Sequence, residues 1–424
     1  MKNYQSIIDK KFLIDTACRI EEDINANGLE RYDPSDVLSH PIFKFTESGC
    51  LRPIWIGLRG IDLLFPIMLR KILKIRKTLS PTTLWHLMQS YLNILEAGYG
   101  LEFNAVEKLK KLCDLALAIA EDSTYLCWVH PYTIHGKTWK DKSIVKDKNY
   151  PMSCAHNTAR LGLALLKAGS VINISPLVEA GLSAAQACIT YHNWHWYENG
   201  KICGVSYYPI TDDEVINTGA EMAILLSEAY VLSGNNLYAK HARGLFRLVI
   251  SEQEADGGWR YCSKAHEQRL GLSSQPDNHH HAMVLRAMAI CASRYPTLID
   301  NINDVKQAII KGVNYYIKNL SNENGFCFLI SGKKREADIA GYCEGLLALQ
   351  ESYEYLVKVE PSIAHNIRGR RYAILNTLFD RFFLNYSNCV ISARRFGLSY
   401  KIGSIRWGSG LMLEVISSEL RNKI

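Results

Sequence analysis

The chain has 424 residues, of which 48% are hydrophobic and 21% are charged; this globular composition excludes long disorder, collagen and coiled coil as the main structure. Its 49 basic and 42 acidic residues give a net charge of +7, a mild excess that favours an anionic ligand without indicating a nucleic-acid partner. At about 150 residues per domain, the length allows two or three domains or one large one.

The first part of the chain contains one notable apolar segment. No apolar stretch follows the opening residues, so we expect no signal peptide and a cytosolic protein. The segment 54–75 contains Arg59, Asp62 and Arg70, which argue against a membrane span. It either packs on the protein itself or touches a membrane surface. Twelve scattered cysteines without a CxxC pair indicate reduced thiols.

From residue 81 onward the chain has the periodicity of amphipathic helices. Apolar residues recur at helical spacing in the segments 81–98, 102–121, 154–168, 174–193, 215–233, 236–252, 278–294, 301–319, 338–357, 362–383 and 404–419. Ser80-Pro81 and Ser175-Pro176 are typical helix starts. The string Thr211–Glu214 has the spacing of a capping box and predicts a helix start there.

One kind of helix start recurs at a fixed interval. Asn157, Asn217 and Asn278 are 60 and 61 residues apart, and Asp277 and Asp338 are 61 apart. An irregular aromatic stretch precedes each of these four helices and also the last predicted helix, 404–419. The stretches are 128–139, 194–208, 259–261, 326–328 and 382–386. A period near 60 indicates a repeat in which helical hairpins stack on their neighbours.

We therefore predict an all-α fold, an (α/α)6-type toroid of helical hairpins with long aromatic loops at one mouth. An open solenoid is the alternative. Residues 1–80 are predicted to be an N-terminal helical extension that closes the ring, and residues 81–424 to be the toroid domain. The N-termini of the inner helices would then converge on one funnel, where their free N–H groups and dipoles favour an anionic ligand.

Residues 243–259 resemble the QW repeat of the terpenoid-cyclase toroids. Gln253, Gly257 and Trp259 match its Gln-x3-Gly-x-Trp pattern. In that superfamily the glutamine and tryptophan fasten an outer helix to the following loop. The resemblance therefore implies a structural role for Gln253.

A longer pattern follows this motif. Asp256-Gly-Gly-Trp-Arg-Tyr261 precedes Asp277-Asn-His-His280 and an apolar helix. The pattern looks like that of α/α-toroid proteins found with bacterial polysaccharide biosynthesis genes. Those proteins are related in architecture to the C-terminal domain of glucuronyl C5-epimerases and to the terpenoid-cyclase and prenyltransferase toroids. The acidic DxDD motif of class II terpene cyclases is absent, so the resemblance implies the fold more strongly than a reaction.

Four side chains are predicted to carry the chemistry. Adjacent helical residues point about 100° apart, so the histidines at 279–281 cannot all face the funnel; the motif match implies that His280 does. At a helix N-terminus a histidine stays largely neutral, which suits a base. Its alternative role is to bond a neighbouring loop. Tyr261 or His156 is predicted as its acid partner, and Glu344 as a further acid or base.

The predicted substrate-binding residues are polar or aromatic side chains near the inner helix starts. They are Asn157, Arg160, Tyr208, Asn217, Trp259, Asp277, Asn278 and Arg406. Asp277 is expected to cap its helix and to orient His280. The asparagines either cap helices or bind sugar hydroxyls, whereas Arg406 would pair with a substrate carboxylate. The aromatic residues either stack on sugar faces or only pack.

A zinc site is a weaker alternative to a metal-free site. The stretch Asp338–Cys343 resembles the zinc-binding Asp…Tyr-Cys stretch of protein prenyltransferase β subunits. Cys154 and His156 would be the further ligands. The main hypothesis needs no cofactor.

The leading hypothesis is a cytosolic enzyme of bacterial surface-polysaccharide or glycoconjugate metabolism. It would act on an anionic sugar by proton abstraction, as an epimerase or a lyase does. One alternative is an isoprenoid- or peptide-modifying toroid enzyme, which predicts bound zinc and an apolar funnel. The other is a non-catalytic carbohydrate-binding or scaffold protein. The expected partner is a carbohydrate or another anionic small molecule.

Overall fold

A computed structural model describes residues 8–46, 49–130, 153–271, 273–333, 335–383, 393–395 and 398–422. Its α-helices are α1 Lys10–Asn27, α2 Pro41–Thr46, α3 Arg52–Leu64, α4 Pro66–Ile72, α5 Pro81–Glu96, α6 Ala105–Ala118, α7 Ala155–Val171, α8 Ser175–Tyr191, α9 Ile216–Ser233, α10 Asn236–Ser251, α11 Lys264–Leu270, α12 Asn278–Arg294, α13 Ile302–Tyr315, α14 Ile339–Val359, α15 Pro361–Phe382 and α16 Gly410–Arg421. The predicted aromatic stretches 128–139 and 382–386 lie partly outside the described residues.

Six helices form a closed inner ring. Helices α5, α7, α9, α12, α14 and α16 contact one another in that order, and α16 returns to α5. An outer helix follows each of the first five inner helices and packs against it: α6, α8, α10, α13 and α15. Helix α1 packs against α16 in the remaining position. The predicted all-α toroid of helical hairpins is therefore confirmed.

The N-terminal residues share the core of the ring. Leu13, Ala17 and Ile20 of α1 are buried in the same hydrophobic cluster as the inner helices. The shorter helices α2 to α4 have a small cluster of their own around Val37 and Phe43. The division of the chain at residue 80 stays a prediction. No described helix is long and apolar enough to cross a membrane.

Within the described ranges, two antiparallel strand pairs lie in the loops of the toroid. Strand β1, Trp194–Tyr197, pairs with β2, Ile202–Val205, inside the predicted aromatic stretch 194–208. Strand β3, Ala393–Arg395, pairs with β4, Leu398–Tyr400, shortly before the last inner helix. The loops at this mouth therefore contain ordered strand pairs as well as irregular turns.

The contacts of Gln253 fasten neighbouring outer helices. Its amide nitrogen donates hydrogen bonds to the carbonyl oxygens of Gly257, at 3.0 Å, and of Ala308 in α13, at 2.9 Å. The indole nitrogen of Trp259 donates to the Val249 carbonyl at 2.8 Å. Gln253 thus has the structural role that its motif implies.

The helix-start string Thr211–Glu214 was wrongly interpreted as a cap. Helix α9 begins at Ile216, and the residue before it, Val215, makes no side-chain capping bond. Asp213 instead accepts a hydrogen bond from the Tyr207 backbone N–H at 3.2 Å. Glu214 contacts His195 Nδ1 at 2.8 Å. These carboxylates hold the aromatic loop before α9.

The last inner helix begins later than the predicted residue 404. An irregular wide turn spans Ile405–Ser409, and α16 begins at Gly410. Ser404 accepts a hydrogen bond from the Trp407 backbone N–H at 3.1 Å. Trp407 and Gly408 both depart from helical backbone angles. This turn carries Arg406 and Trp407 to the mouth of the ring.

The hairpin of α7 and α8 depends on a close approach between two backbones. A Cβ atom added at Gly181 would lie 2.6 Å from Leu166 Cγ and 2.8 Å from the Gly162 carbonyl oxygen. We therefore expect Gly181→Ala to lower the free energy of unfolding by about 1–3 kcal/mol, measured by urea denaturation. Gly369→Ala, at an exposed position of α15, has open space around its Cβ and should be neutral or stabilising by up to about 1 kcal/mol. Equal effects of the two substitutions would contradict the close approach.

Candidate active site

A cavity of about 280 Å³ lies where the first turns of the inner helices meet. Its wall is formed by Ser35, Thr82, His86, His156, Arg160, Tyr207, Asn217, Tyr261, His279, His280, Met283, Glu344, Arg406, Trp407 and Leu411. All six inner helices or the turns that lead into them contribute to this wall. Most of these positions fall within the first two turns of an inner helix, so the cavity occupies the mouth to which the N-termini point.

The floor of the cavity is held by ion pairs between neighbouring inner helices. Arg160 of α7 lies 2.6 Å from a carboxylate oxygen of Glu221 in α9 and 3.1 Å from one of Glu344 in α14. His156 Nδ1 lies 2.6 Å from the other oxygen of Glu221. One arginine thus joins carboxylates from two other helices.

The same chain of charges continues around the ring. Arg286 of α12 lies 3.6 Å from Glu344 and 2.5 Å from Glu414 in α16. Glu414 in turn lies 2.6 Å from His86 Nδ1 in α5. We call the seven linked side chains the charged ring: His86, His156, Arg160, Glu221, Arg286, Glu344 and Glu414. A second, smaller cavity of about 30 Å³ is lined by Arg160, Glu221, Arg286 and residues further along the inner helices.

The carboxylates of the charged ring stay ionised. Burial alone would raise the pKa of Glu221, but Arg160 and His156 lower it to about 2. Arg286 and His86 likewise outweigh burial and lower the pKa of Glu414 to about 2. Burial lowers the pKa of His86 and of His156. At neutral pH the ring therefore holds fixed charges on its three carboxylates and two arginines, while its two histidines are neutral.

An aspartate and a histidine form a pair at the start of α12. Asp277 caps the helix, because one carboxylate oxygen accepts the His280 backbone N–H at 3.0 Å. The other oxygen lies 2.7 Å from His280 Nδ1. Burial opposes the shift, but Asp277 raises the pKa of the His280 imidazole above its usual value. With Nδ1 engaged, Nε2 of His280 is the ring atom available to a ligand.

Tyr261 packs directly on this pair. Its ring centroid lies 4.4 Å from that of His280. Burial raises the pKa of the Tyr261 phenol well above its usual value, so the hydroxyl keeps its proton at neutral pH. His280 keeps 30% of its side chain accessible, which leaves it open to the cavity.

The three adjacent histidines divide as their helical spacing requires. His279 and His280 line the cavity, whereas His281 is buried and contacts the Gly312 carbonyl oxygen at 3.0 Å. Burial lowers the pKa of His279 to about 3 and that of His281 to about 4. The adjacent residues His279 and His280 therefore differ in basicity: His279 is neutral at neutral pH, whereas the pKa of His280 is raised.

Several polar atoms of the cavity wall are buried without a hydrogen-bond partner among the described residues. They are Asn217 Oδ1, His279 Nδ1, Arg406 Nε and Trp407 Nε1. Buried polar atoms are normally satisfied. Four such atoms therefore make the wall of this cavity polar, with hydrogen-bonding capacity that the described residues leave unused.

Not every predicted site residue reaches the cavity wall. Seven do: His156, Arg160, Asn217, Tyr261, His280, Glu344 and Arg406. Asp277 and Tyr208 stand behind the wall, Asp277 as the partner of His280 and Tyr208 against Tyr207, with ring centroids 5.1 Å apart.

The other three predicted binding residues support the surrounding loops. Trp259 is fully buried. Asn157 donates to the Val129 carbonyl at 3.2 Å, and Asn278 donates to the Leu320 carbonyl at 3.1 Å. The interpretation of these asparagines as helix caps was wrong, because the residues before α7 and α12 are Cys154 and Asp277. Their amides tie loop backbones to the inner helices instead.

The residues proposed for zinc do not fit a metal site. Cys343 is fully buried in the hydrophobic core, and Asp338 caps α14 by accepting the Gly341 N–H at 3.2 Å. His156 is engaged with Glu221. In the part of the chain that the structure describes, no three His, Cys, Asp or Glu side chains are grouped to hold a metal ion.

The sequence analysis missed four members of the charged ring and more than half of the cavity wall. The missed ring members are His86, Glu221, Arg286 and Glu414. The missed wall residues are Ser35, Thr82, His86, Tyr207, His279, Met283, Trp407 and Leu411. The available signal was a charged residue flanked on both sides by apolar residues, as with Glu414 between Leu413 and Val415 in α16. Such a residue is buried only when it has a partner.

No protein-family model and no curated protein matches this chain, but solved structures share its fold. An unsaturated glucuronyl hydrolase from Streptococcus agalactiae aligns over 100% of this chain and 96% of its own, with a TM-score of 0.59 and 12% identity. Cellobiose 2-epimerase from Bacillus thermoamylovorans covers 81% and 90%, with a TM-score of 0.59 and 10% identity. A GH76 α-mannanase from Bacteroides thetaiotaomicron covers 80% and 86%, with a TM-score of 0.56 and 8% identity.

These three proteins are α/α-toroid enzymes that process glycosides. At such low identity the similarity establishes the toroid fold alone. None of the three is a glucuronyl C5-epimerase, a terpenoid cyclase or a prenyltransferase, so the resemblance to those families stays a prediction.

The charged ring predicts that Glu414 contributes strongly to stability. Glu414→Gln leaves Arg286 buried without its closest carboxylate, so we expect the free energy of unfolding at pH 7 to fall by about 3–5 kcal/mol. The matched control is Asp300→Asn, because Asp300 also lies 2.5 Å from an arginine, Arg247, but half of its side chain is exposed. That control should lose less than about 1 kcal/mol. Similar losses in urea denaturation of both variants would show that the Arg286–Glu414 pair of the charged ring contributes no more to stability than an exposed ion pair.

Proposed function

We propose that the protein is an enzyme that acts on a sugar bearing an anionic group and removes a proton from one of its carbon atoms. The observation that carries this proposal is the Asp277–His280 pair, which opens into a cavity lined by unsatisfied polar atoms. The toroid fold supports it, because the three enzymes named above act on glycosides. We further propose a cytosolic role in the metabolism of bacterial surface polysaccharides or glycoconjugates.

The cavity wall offers groups that suit such a ligand. Arg406 Nε and Trp407 Nε1 are donors without partners among the described residues, and Asn217 Oδ1 is an acceptor. The Arg406 guanidinium lies 4.8 Å from the Trp407 ring centroid and 3.3 Å from Asp33, which holds it in place. In this arrangement Arg406 binds a carboxylate, while Asn217 and Trp407 bind hydroxyl groups.

His280 serves as the base in the proposed reaction. Its Nδ1–H donates to Asp277, so Nε2 takes the proton from the carbon next to the sugar carboxylate, and the electron pair moves into that carboxylate. In an isomerase, an acid then returns a proton to the opposite face of the carbon. In a lyase, the electron pair instead expels the oxygen on the neighbouring carbon, and the acid protonates that oxygen. Tyr261 is the proposed acid, with His156 as the second candidate.

Proton abstraction is favoured over hydrolysis by the carboxylates of the site. Most glycoside hydrolases use two carboxyl groups, one of which must be protonated. Glu344 is the only acidic residue in the described cavity wall. Burial alone would raise its pKa, but Arg160 and Arg286 lower it, which makes Glu344 a poor general acid.

The charged floor also argues against the isoprenoid hypothesis, which requires an apolar funnel. The remaining rival is a carbohydrate-binding protein without activity. It accounts for the unsatisfied polar atoms but gives no role to the base at His280. Turnover therefore separates the two.

Solvent deuterium exchange tests the proposed reaction directly. We expect the protein to bind uronate-containing oligosaccharides more tightly than their neutral counterparts and, in D₂O, to exchange the C5 hydrogen or form an unsaturated product, as followed by NMR. His280→Gln should lower this rate by about 10²- to 10⁴-fold, because the base is lost.

The matched control replaces a histidine with the same kind of partner elsewhere. His195, on β1, lies 2.8 Å from a carboxylate oxygen of Glu214 and does not line the cavity. His195→Gln should therefore keep the full rate. Tight uronate binding without exchange or product would identify a binding protein. Full activity of His280→Gln would overturn the assignment of the base.

The pH profile tests the role of Asp277. Because Asp277 raises the pKa of His280, activity should rise as the pH increases through that pKa and the base loses its proton. In Asp277→Asn the raising charge is gone, so the acidic limb of the kcat/KM profile should move to lower pH while kcat falls. A profile that keeps its position would show that Asp277 only caps α12.

A further inference from the structure

The solvent-facing side of α3 is apolar. Its exposed residues are Arg52, Pro53, Ile54, Ile56, Gly57, Gly60, Ile61 and Leu64. Ile54, Ile56 and Leu64 each expose more than half of their surface. An ordinary surface helix carries polar and charged residues on this side. Helix α3 instead presents its apolar stripe to solvent.

Neighbouring helices extend this surface. The exposed large apolar residues of α2, α4 and the adjoining turn are Ile42, Phe45, Phe65, Met68 and Ile72. Together with Ile54, Ile56, Ile61 and Leu64 they form what we call the apolar patch. Scattered apolar side chains are normal on a protein surface, whereas nine within one short segment mark an interaction site.

The same segment carries most of the net charge of the protein. Residues 41–80 contain eight Lys or Arg and two Asp or Glu, a formal charge of +6 out of +7 for the whole chain. The exposed basic residues are Arg52, Lys71, Lys74, Arg76 and Lys77. One of the two acidic residues, Asp62, is buried in ion pairs with Arg59 and Arg70. The partner of this surface is therefore expected to be both apolar and anionic.

Buried contacts hold the helices under the patch in a fixed arrangement. Arg70 of α4 is fully buried and lies 2.6 Å from Asp62 of α3 and 2.8 Å from Asp36. Its guanidinium also donates to Tyr400 Oη in β4 at 3.1 Å. Turning the apolar side of α3 inward would break these bonds, so the patch is a stable feature of the surface.

The apolar patch belongs to a unit that borders the mouth of the ring. Ser35, one residue before Asp36, lines the cavity. Asp33 lies 3.3 Å from Arg406 in the cavity wall. A partner bound to the patch would therefore be close to the entrance of the site.

We propose that the apolar patch docks the protein on the surface of an anionic lipid bilayer. A basic segment with exposed Ile, Leu and Phe side chains matches the headgroup and acyl boundary of such a membrane. Helix α3 has 13 residues, fewer than the roughly 20 that a spanning helix needs, so it lies on the membrane and does not cross it. This inference does not depend on the proposed reaction.

Vesicle co-sedimentation of the full chain tests the proposal. We expect binding to vesicles of 30% phosphatidylglycerol in phosphatidylcholine, and weak binding to phosphatidylcholine alone. Ile54→Ser/Ile61→Ser/Leu64→Ser should abolish the binding. Lys71→Ala/Lys74→Ala should weaken it by about fivefold for each charge removed, with the loss diminished at high salt.

Matched controls come from the opposite mouth and the outer face. Leu101, Val171 and Val231 are also exposed apolar residues, and Lys110 and Lys111 are exposed on α6. The variants Leu101→Ser/Val171→Ser/Val231→Ser and Lys110→Ala/Lys111→Ala should both bind vesicles as the unsubstituted protein does. Circular dichroism and thermal unfolding of every variant establish that it is folded.

Three outcomes would overturn the proposal. The first is the absence of binding to anionic vesicles by the folded, unsubstituted protein. The second is equal loss of binding in the patch and control variants. The third is self-association in analytical ultracentrifugation that disappears in the Ile54→Ser/Ile61→Ser/Leu64→Ser variant, because a second copy of the chain would then cover the patch.

Discussion

The toroid depends on neutralising three carboxylates that lie inside it. Glu344 and Glu414 are buried among the inner helices and Glu221 is only slightly exposed. An unpaired charge in such a place costs several kcal/mol. Two arginines, at 160 and 286, lie between these carboxylates and link them. Each link joins different helices, so the charges constrain how far each helix is rotated and shifted relative to its neighbours. Apolar packing alone gives a ring less specificity, because small and branched side chains tolerate several registers.

The rotation and shift of the inner helices also fix the side chains at the mouth of the ring, one or two turns nearer the helix N-termini. The histidines and the tyrosine of the cavity wall therefore converge there. Adjacent residues then acquire different chemistry from their own contacts. His279 has a pKa lowered to about 3 by burial, whereas His280 has Asp277 beside it and a raised pKa. Environments that push neighbouring pKa values apart are typical of acid–base sites.

Much of the fold was accessible from the sequence, because helices and hairpins are local features. The predicted segment 215–233 differs from α9, Ile216–Ser233, by one residue at its start. The interval of about 60 residues between the asparagines marked equivalent helix starts. The direction of individual side chains was less accessible. An offset of one residue rotates a helical side chain by about 100°, so Asn157 and Asn278 point to loops although Asn217 lines the cavity.

The charged ring was beyond local reasoning. Arg160 and Glu344 are 184 residues apart, and Arg286 and Glu414 are 128 apart. No spacing rule connects positions at such separations. A charged residue flanked by apolar residues in a helix indicates that a buried partner exists, but the partner is identified only once the ring is closed.

The contact between His86 and Glu414 joins positions that are 328 residues apart. During synthesis the first inner helix is made long before α16, so most of the ring exists for a time without its final wall. Until α16 arrives, Arg286 lacks its nearest carboxylate and the inner face of α5 is open to solvent. Ring closure brings distant parts of the chain together, which is slow and favours transient aggregation. The floor of the site is therefore among the last features to form, and a ribosome-bound chain lacking α16 has no complete cavity.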